Sequence, residues 1–253
     1  HFNHAVMLYK ENGFDEKIAE QVFTEILRHH DALRMVYRIG PVEPGENTGN
    51  RGKIAVRQEC RGTTGKLFDF EVFHFEDNDR IPAEIVKQAN RVQAGMDLAR
   101  GPLVKLGLFK TPTGDHLLIV IHHLVIDGVS WRIVLEDFTA AYKQVEQGKT
   151  IILPEKTDSF LHWSQELSRY AAGTQGAAHN NLLKEAAYWR RLEAKAPAPL
   201  PNKKEIPQAR KKRKYIETVR IDLEPAETEL LLKKVNRAYN TEINDILLTA
   251  LGM

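Results

Sequence analysis

The stretch from Ile119 to Phe138, IVIHHLVIDGVSWRIVLEDF, ends an aliphatic run on two adjacent histidines, His122 and His123, and sets Asp127 and Gly128 just beyond them. A neutral imidazole has an unperturbed pKa of about 6.5, so it can take or give a proton near neutral pH. Placed as a general base, such a group contributes ~10²–10⁴ in rate. Leu117 to Ile121 are all apolar, the pattern of a strand covered on both faces. Successive side chains on a strand point to opposite faces. His122 and His123 therefore do not reach one ligand while the strand persists, which disfavours a zinc site built from the pair with Asp127. The reading that remains gives one histidine to a cleft and the other, His122, to the core. Asp127 either orients the cleft imidazole or ion-pairs with an arginine to pin the turn. Gly128 offers tight backbone geometry or room for a substrate. A helix is expected from near Ser130 to Gln147, ended by Gly148, with its positive end beside the histidines. Trp131 either floors a cleft or fills the core.

The elements that must position these residues are readable around them. Phe2 to Tyr9 reads as a first strand. Asp15 can cap a helix whose apolar stripe is Ile18, Ala19, Val22, Phe23, Ile26 and Leu27. Leu33, Met35, Tyr37 and Ile39 then alternate with Arg34 and Arg38 as in a half-buried strand. GPVEPGENTGNRGK reads as a loop. KIAVRQ and FDFEVFHF are strand-like, and IPAEIVKQANRVQAGM is a helix with Pro82 in its first turn. GPLVKLGLFK puts Val104, Leu106 and Leu108 on one face, and TPTGD makes a hairpin into the histidine strand. Beyond the helix after Asp127, Phe160, Trp163, Leu167 and Tyr170 lie at helical spacing, as do Tyr188 and Trp189 in a following helix; all are read as packing residues. His29 and His30, after the first helix, are read as solvent- or cap-facing. YIETVRIDL restarts as a strand, and EPAETELLLKKVNRAY and NTEINDILLTALGM as helices. The order is that of an α/β layered domain followed by the opening of another.

Composition narrows the classes. With 253 residues, 42% hydrophobic and 28% charged, the chain is an ordinary globular sequence. Its 36 basic and 34 acidic residues leave a formal net charge of +2, so no global field draws it to nucleic acid or acidic lipid. The basic run Lys211 to Lys214 sits in a proline- and lysine-rich connector without interleaved aromatics, and is read as a solvated linker. No apolar run approaches the ~20 residues that span a membrane. Cys60 is the single cysteine, which excludes an internal disulfide and a cysteine-built zinc site and suits a reducing cytoplasm. No glycine-rich phosphate loop and no G-x-S-x-G elbow is present. The first residue is not methionine and the last helix carries an unpaired apolar face, so a piece of a longer chain is expected.

HHLVIDG, RHHDALRMVY and MDLARGPLVKLGLF, in that relation to one another, resemble the HHxxxDG and RHxxLR motifs and the core segment of the condensation and epimerization domain superfamily of nonribosomal peptide synthetases. The continuation VSWRIVLEDF, the opening HFNHAV, LPEKTDSFLHWSQELSRYA and AYNTEINDILLTAL are similar to epimerization domains in particular. The resemblance implies a chloramphenicol acetyltransferase-like two-layer α/β sandwich lobe over residues 1–178, a helix and connector over 179–214, and the beginning of a second similar lobe over 215–253. It implies a tunnel between lobes that receives a phosphopantetheine arm, carried by a carrier domain, bearing an aminoacyl or peptidyl thioester; no cofactor is held by the chain itself. Within it His123 is the proton-exchanging residue at Cα, His122, Asp127 and Gly128 support it, and Ser130 and Trp131 are candidate tunnel-lining residues. Asp127 is expected to pair with Arg34, or alternatively Arg28. The family's second proton-transfer group is a glutamate of the other lobe, for which no matching motif is found, so this segment alone is expected to be catalytically incomplete. The expected partners are the carrier domain, an adjacent adenylation domain and the remaining lobe. Condensation, that is amide-bond formation between carrier-bound substrates, is the alternative activity.

Overall fold

The computed structural model describes residues 2–41, 54–76, 79–172, 177–195, 217–238 and 240–252. Most of the loop GPVEPGENTGNRGK and the connector with Lys211 to Lys214 lie outside the described residues. The chain divides into two compact units, His1–Leu183 and Lys184–Met253.

The first unit is built on a mixed four-stranded sheet. Strand β1 (Asn3–Lys10) leads to helix α1 (Glu16–His29), then to β2 (Met35–Pro41) and β3 (Ile54–Cys60). Strand β4 (Asp69–His74) precedes α2 (Ile81–Gln93), followed by β5 (Val104–Thr111), β6 (Gly114–His122) and α3 (Gly128–Glu146). The sheet order is β1-β6-β5-β4, with β6 antiparallel to both neighbours and β4 parallel to β5. A parallel pair needs a long crossover, and α2 supplies it. The expected hairpin is present, with Thr111 opposite Gly114 across a two-residue turn.

Side-chain parity sorts the core into two layers. Leu117, Ile119 and Ile121 of β6 and Val104, Leu106 and Leu108 of β5 face the layer made by α1 and α3. Leu118, Val120 and Phe109 face the other side, where Val92 of α2 covers them. The α1 stripe buries Ala19, Val22, Phe23, Ile26 and Leu27, and Asp15 accepts the Ile18 N–H at 3.0 Å as its cap. Phe14, Phe23, Phe138 and Tyr142 form an aromatic cluster between α1 and α3.

The end of α1 is tied down by side chains. The buried Arg34 guanidinium donates to the carbonyls of Leu27, Arg28 and Arg61 and to the Asp31 carboxylate, so it satisfies carbonyls that the last turn leaves open. Of the two readings of His30, solvent-facing or cap-facing, the structure has the second, since His30 is the C-cap of α1. Its Nε2 lies 2.6 Å from Oδ2 of Asp137, a buried carboxylate on α3, and the pair joins the two helices.

Three expectations are corrected. The strand β2 begins only after a 3₁₀ turn at Asp31–Arg34, and its buried residue is Val36, while Ile39 is exposed. Among the described strands it pairs with β3 alone, in a two-stranded ribbon that buries only Val36 and Ala55. Helix α4 (Phe160–Ala172) forms as expected, but Phe160, Trp163, Leu167 and Tyr170 are between 45% and 55% exposed, because no described element covers that stripe. Tyr188 and Trp189 of α5 (Ala177–Glu193) are likewise exposed. In the second unit α6 (Pro225–Lys233) carries a capping box at Glu224 and Glu227, and α7 (Ile243–Gly252) follows. The described part of the expected strand, 217–223, is not a strand, and Val219 and Ile221 are exposed. A strand exists by pairing, and no described segment of that unit pairs with it.

Replacing Asp137 with alanine leaves His30 without its partner and is expected to lower stability by roughly 1–3 kcal/mol, with Asp137→Asn costing less. Chemical denaturation measures both, and an unchanged midpoint for Asp137→Ala would remove the helix tie from the account.

Candidate active site

The histidine loop is fastened from several sides. His122 N–H donates to the Leu103 carbonyl and His123 N–H to that of Phe2, extending the ladder to the last residues of the strand. The chain then turns through a Val125 N–H bond to the His122 carbonyl, and Val125 and Ile126 plug into the core. Tyr37 of β2 donates its hydroxyl to the Leu124 carbonyl at 2.7 Å. Burial pushes the Tyr37 phenol up.

The two imidazoles part as strand parity requires. Nδ1 of His122 accepts the Leu124 N–H at 3.2 Å, so its neutral form carries the proton on Nε2. Burial, with the neighbouring His123 adding to it, pushes the His122 pKa down and keeps it neutral as a cap for the turn. His123 is exposed. Its Nδ1 lies 2.8 Å from the Ile126 carbonyl, and because a carbonyl only accepts, Nδ1 carries the proton. In the neutral ring the lone pair is then on Nε2. The ring of His4, from β1, lies against that of His123 with centroids 3.9 Å apart and planes tilted by 37°. Nδ1 of His4 accepts the Nε1–H of Trp131 at 3.2 Å.

Asp127 pairs with neither Arg34 nor Arg28. It is the N-cap of α3, and its Oδ1 accepts from the backbone N–H of Ser130 at 2.8 Å and from the Ser130 hydroxyl at 2.7 Å. Those bonds, the backbone one foremost, hold its pKa below the usual carboxylate range. The reason is local: a capping carboxylate finds donors three residues on, whereas Arg34 uses its own donors at the end of α1 and Arg28 pairs with Glu25. Helix α3 accordingly starts at Gly128 rather than near Ser130.

The remaining candidates separate similarly. Gly128 has no positive φ, and a Cβ there would meet nothing within 4 Å, so the backbone does not require glycine and open space remains beside it. The Ser130 hydroxyl is committed to the cap. Trp131 is buried in the main core with only its N–H turned to His4. Among the described residues no group of three or more His, Cys, Asp or Glu could hold a metal ion, and no helix is long and apolar enough to cross a membrane. Sequence reasoning missed His4 and Tyr37. Their only sequence signal is a histidine on an opening strand and a tyrosine on a ribbon, and neither pairing register is written in the sequence.

A mixed sheet whose doubly covered inner strand runs into HHxxxDG, with the aspartate capping the next helix, agrees with the condensation domain family, whose model matches residues 1–253. The chain belongs to that family. It is 47% identical over 252 residues to gramicidin S synthase 1 of Brevibacillus brevis, covering 100% of this chain and 21% of that protein. It is 44% identical over 254 residues to tyrocidine synthase 2 of Brevibacillus parabrevis, covering 100% of this chain and 6% of that one. Among solved structures it matches the epimerization domain from the third module of tyrocidine synthetase B with a TM-score of 0.84 and 44% identity, covering 100% of this chain and 53% of the other. The chain thus spans about half of that domain structure and a small part of the curated relatives.

Two outcomes check the site. Because Arg34 and Asp127 are satisfied separately, Arg34→Ala is expected to cost roughly 2–4 kcal/mol through its open carbonyls, while a double-mutant cycle with Asp127→Ala shows no coupling beyond error. The second concerns pH. His122 and His29 have lowered folded-state pKa values, both chiefly through burial. The unfolded chain therefore binds protons more readily, so their contribution is complete above about pH 6.5 and declines as pH falls. At Asp31 burial pushes upward but bonds to Arg34 and Lys156 outweigh it, and Asp127 is lowered too, so these contributions are present above about pH 4 and lost below it. Thermal unfolding midpoints should fall between pH 7 and 5 and again below 4, with His122→Gln flattening the first step. A midpoint that rises between pH 7 and 5 contradicts the burial account of these histidines.

Proposed function

We propose that this chain carries the proton-exchanging histidine of an epimerization site acting on an L-aminoacyl or peptidyl thioester in nonribosomal peptide synthesis. The observation that carries the reading is the Nδ1–H bond from His123 to the Ile126 carbonyl, which in the neutral ring puts the lone pair on Nε2 of an exposed residue. The likeness over the whole chain to a tyrocidine epimerization domain supports epimerization over other activities of the family. Nε2 of His123 takes the Cα proton, and the C–H electron pair passes into the thioester carbonyl as an enolate. Return of a proton to the opposite face gives the D-configuration and restores the carbonyl. That return needs a second acid, which we assign to the part of the domain this chain does not span. The thioester arrives on the phosphopantetheine arm of a carrier domain, loaded by an adenylation domain. Asp127 and His122 act by holding the loop, not by touching the substrate.

The test uses the full-length protein with its carrier loaded with an L-aminoacyl thioester in heavy water. Wild type is expected to incorporate deuterium at Cα and to yield D-product, and His123→Ala to lose at least ~10²-fold in exchange rate with its melting behaviour kept. If wild type exchanges nothing but transfers its acyl group to a downstream amine in a His123-dependent way, the domain forms amide bonds instead.

A further inference from the structure

We propose that His4 is a positioning residue for His123: its Trp131-held ring sets the plane of the His123 imidazole and presents an uncharged face to it while it carries the transferred proton. The proposal rests on the proton-transfer role of His123 given above. One hydrogen bond, from Nδ1 to the Ile126 carbonyl, fixes the tautomer and one direction of the ring but leaves it free to swing about that bond. The ring of His4 removes this freedom by lying 3.9 Å from the His123 ring on one face.

His4 is itself held at two points. Its backbone sits in β1 opposite Ile121 of β6, two residues before His123. Its Nδ1 accepts the indole N–H of Trp131, whose ring is locked in the core on the first turn of α3. An indole N–H only donates, so Nδ1 of His4 stays without a proton while this bond lasts. The proton of the neutral ring is then on Nε2. When His123 accepts a proton at its own Nε2 it becomes a cation, and the face of an uncharged aromatic ring attracts it. A second proton on His4 would break the indole bond and set like charges in contact. The other titratable groups about the pair are His122 at the strand end, Asp127 at the helix cap and Tyr37, whose hydroxyl is bound to Leu124. The core thus reaches the reacting atom through Trp131, then His4, then His123.

The experiment measures Cα–deuterium exchange in the full-length protein for His4→Ala, His4→Phe and His4→Gln, with thermal unfolding of each as the control. His4→Ala is expected to lower kcat by about 10–100-fold, the scale of a small misplacement of a reacting group, with KM for the loaded carrier unchanged. His4→Phe, which keeps an uncharged ring face, is expected to recover to within about threefold of wild type. His4→Gln, which keeps an acceptor for Trp131 but no ring, should fall with alanine. A wild-type kcat in His4→Ala overturns the proposal, and so does rescue by glutamine but not by phenylalanine. If wild type shows no exchange but His123-dependent amide formation, the epimerization reading fails, and the same three variants, read on the acylation rate, still decide the role of His4.

Discussion

Strand β6 is hydrogen-bonded along both edges and covered on both faces, and everything at the site depends on that double constraint. With β1 on one side and β5 on the other, its register cannot slip by one residue without exchanging every buried side chain between two layers of the core. Leu117, Ile119 and Ile121 belong to the layer under α1 and α3, and Leu118 and Val120 to the one under α2. The alternation continues past the end of the strand. It delivers His123 to the side of His4 and Trp131, and it turns His122 back to cap its own loop.

Around this strand, polar groups are satisfied by what is nearest along the chain or directly across a helix pair. Asp127 bonds to Ser130, Arg34 to the carbonyls that end α1, and His30 to Asp137 across the α1–α3 contact. A single long-range ion pair between Asp127 and Arg34 would have had to outweigh these local bonds, each of which needs little chain ordering beyond that of the helices themselves. The result is two independent clamps, one at the end of α1 and one at the start of α3. The loop between them is further held by Tyr37, from a ribbon outside the main sheet.

The contrast between α4, α6 and α7 and the absent strand at 217–223 has one physical origin. A helix closes its hydrogen bonds within itself, so its ladder needs no neighbouring segment even where Trp163, Leu167, Leu247 and Leu251 remain exposed. A strand has no such internal bonds. Val219 and Ile221 carry the composition of a strand, but no described segment pairs with them and they form no regular element.

From the sequence alone, the motif set RHHDALR and HHLVIDG was sufficient for the family, and the apolar alternation for the α/β sheet and its order of elements. So was the parity that separates the two histidines, because side-chain direction on a strand is a local property of the backbone. The capping role of Asp127 is legible too, since a cap and its donor lie three residues apart, although it is not among the expectations drawn from the sequence. What only the tertiary structure decided were the contacts that cross it: His4 against His123, Trp131 on His4, Tyr37 on the loop, and His30 on Asp137. These join residues between 87 and 127 positions apart, the first of them at the one end where β1 starts and β6 finishes. Such contacts follow from strand register and helix placement, which are set by how the whole core packs and not by any short stretch of the chain.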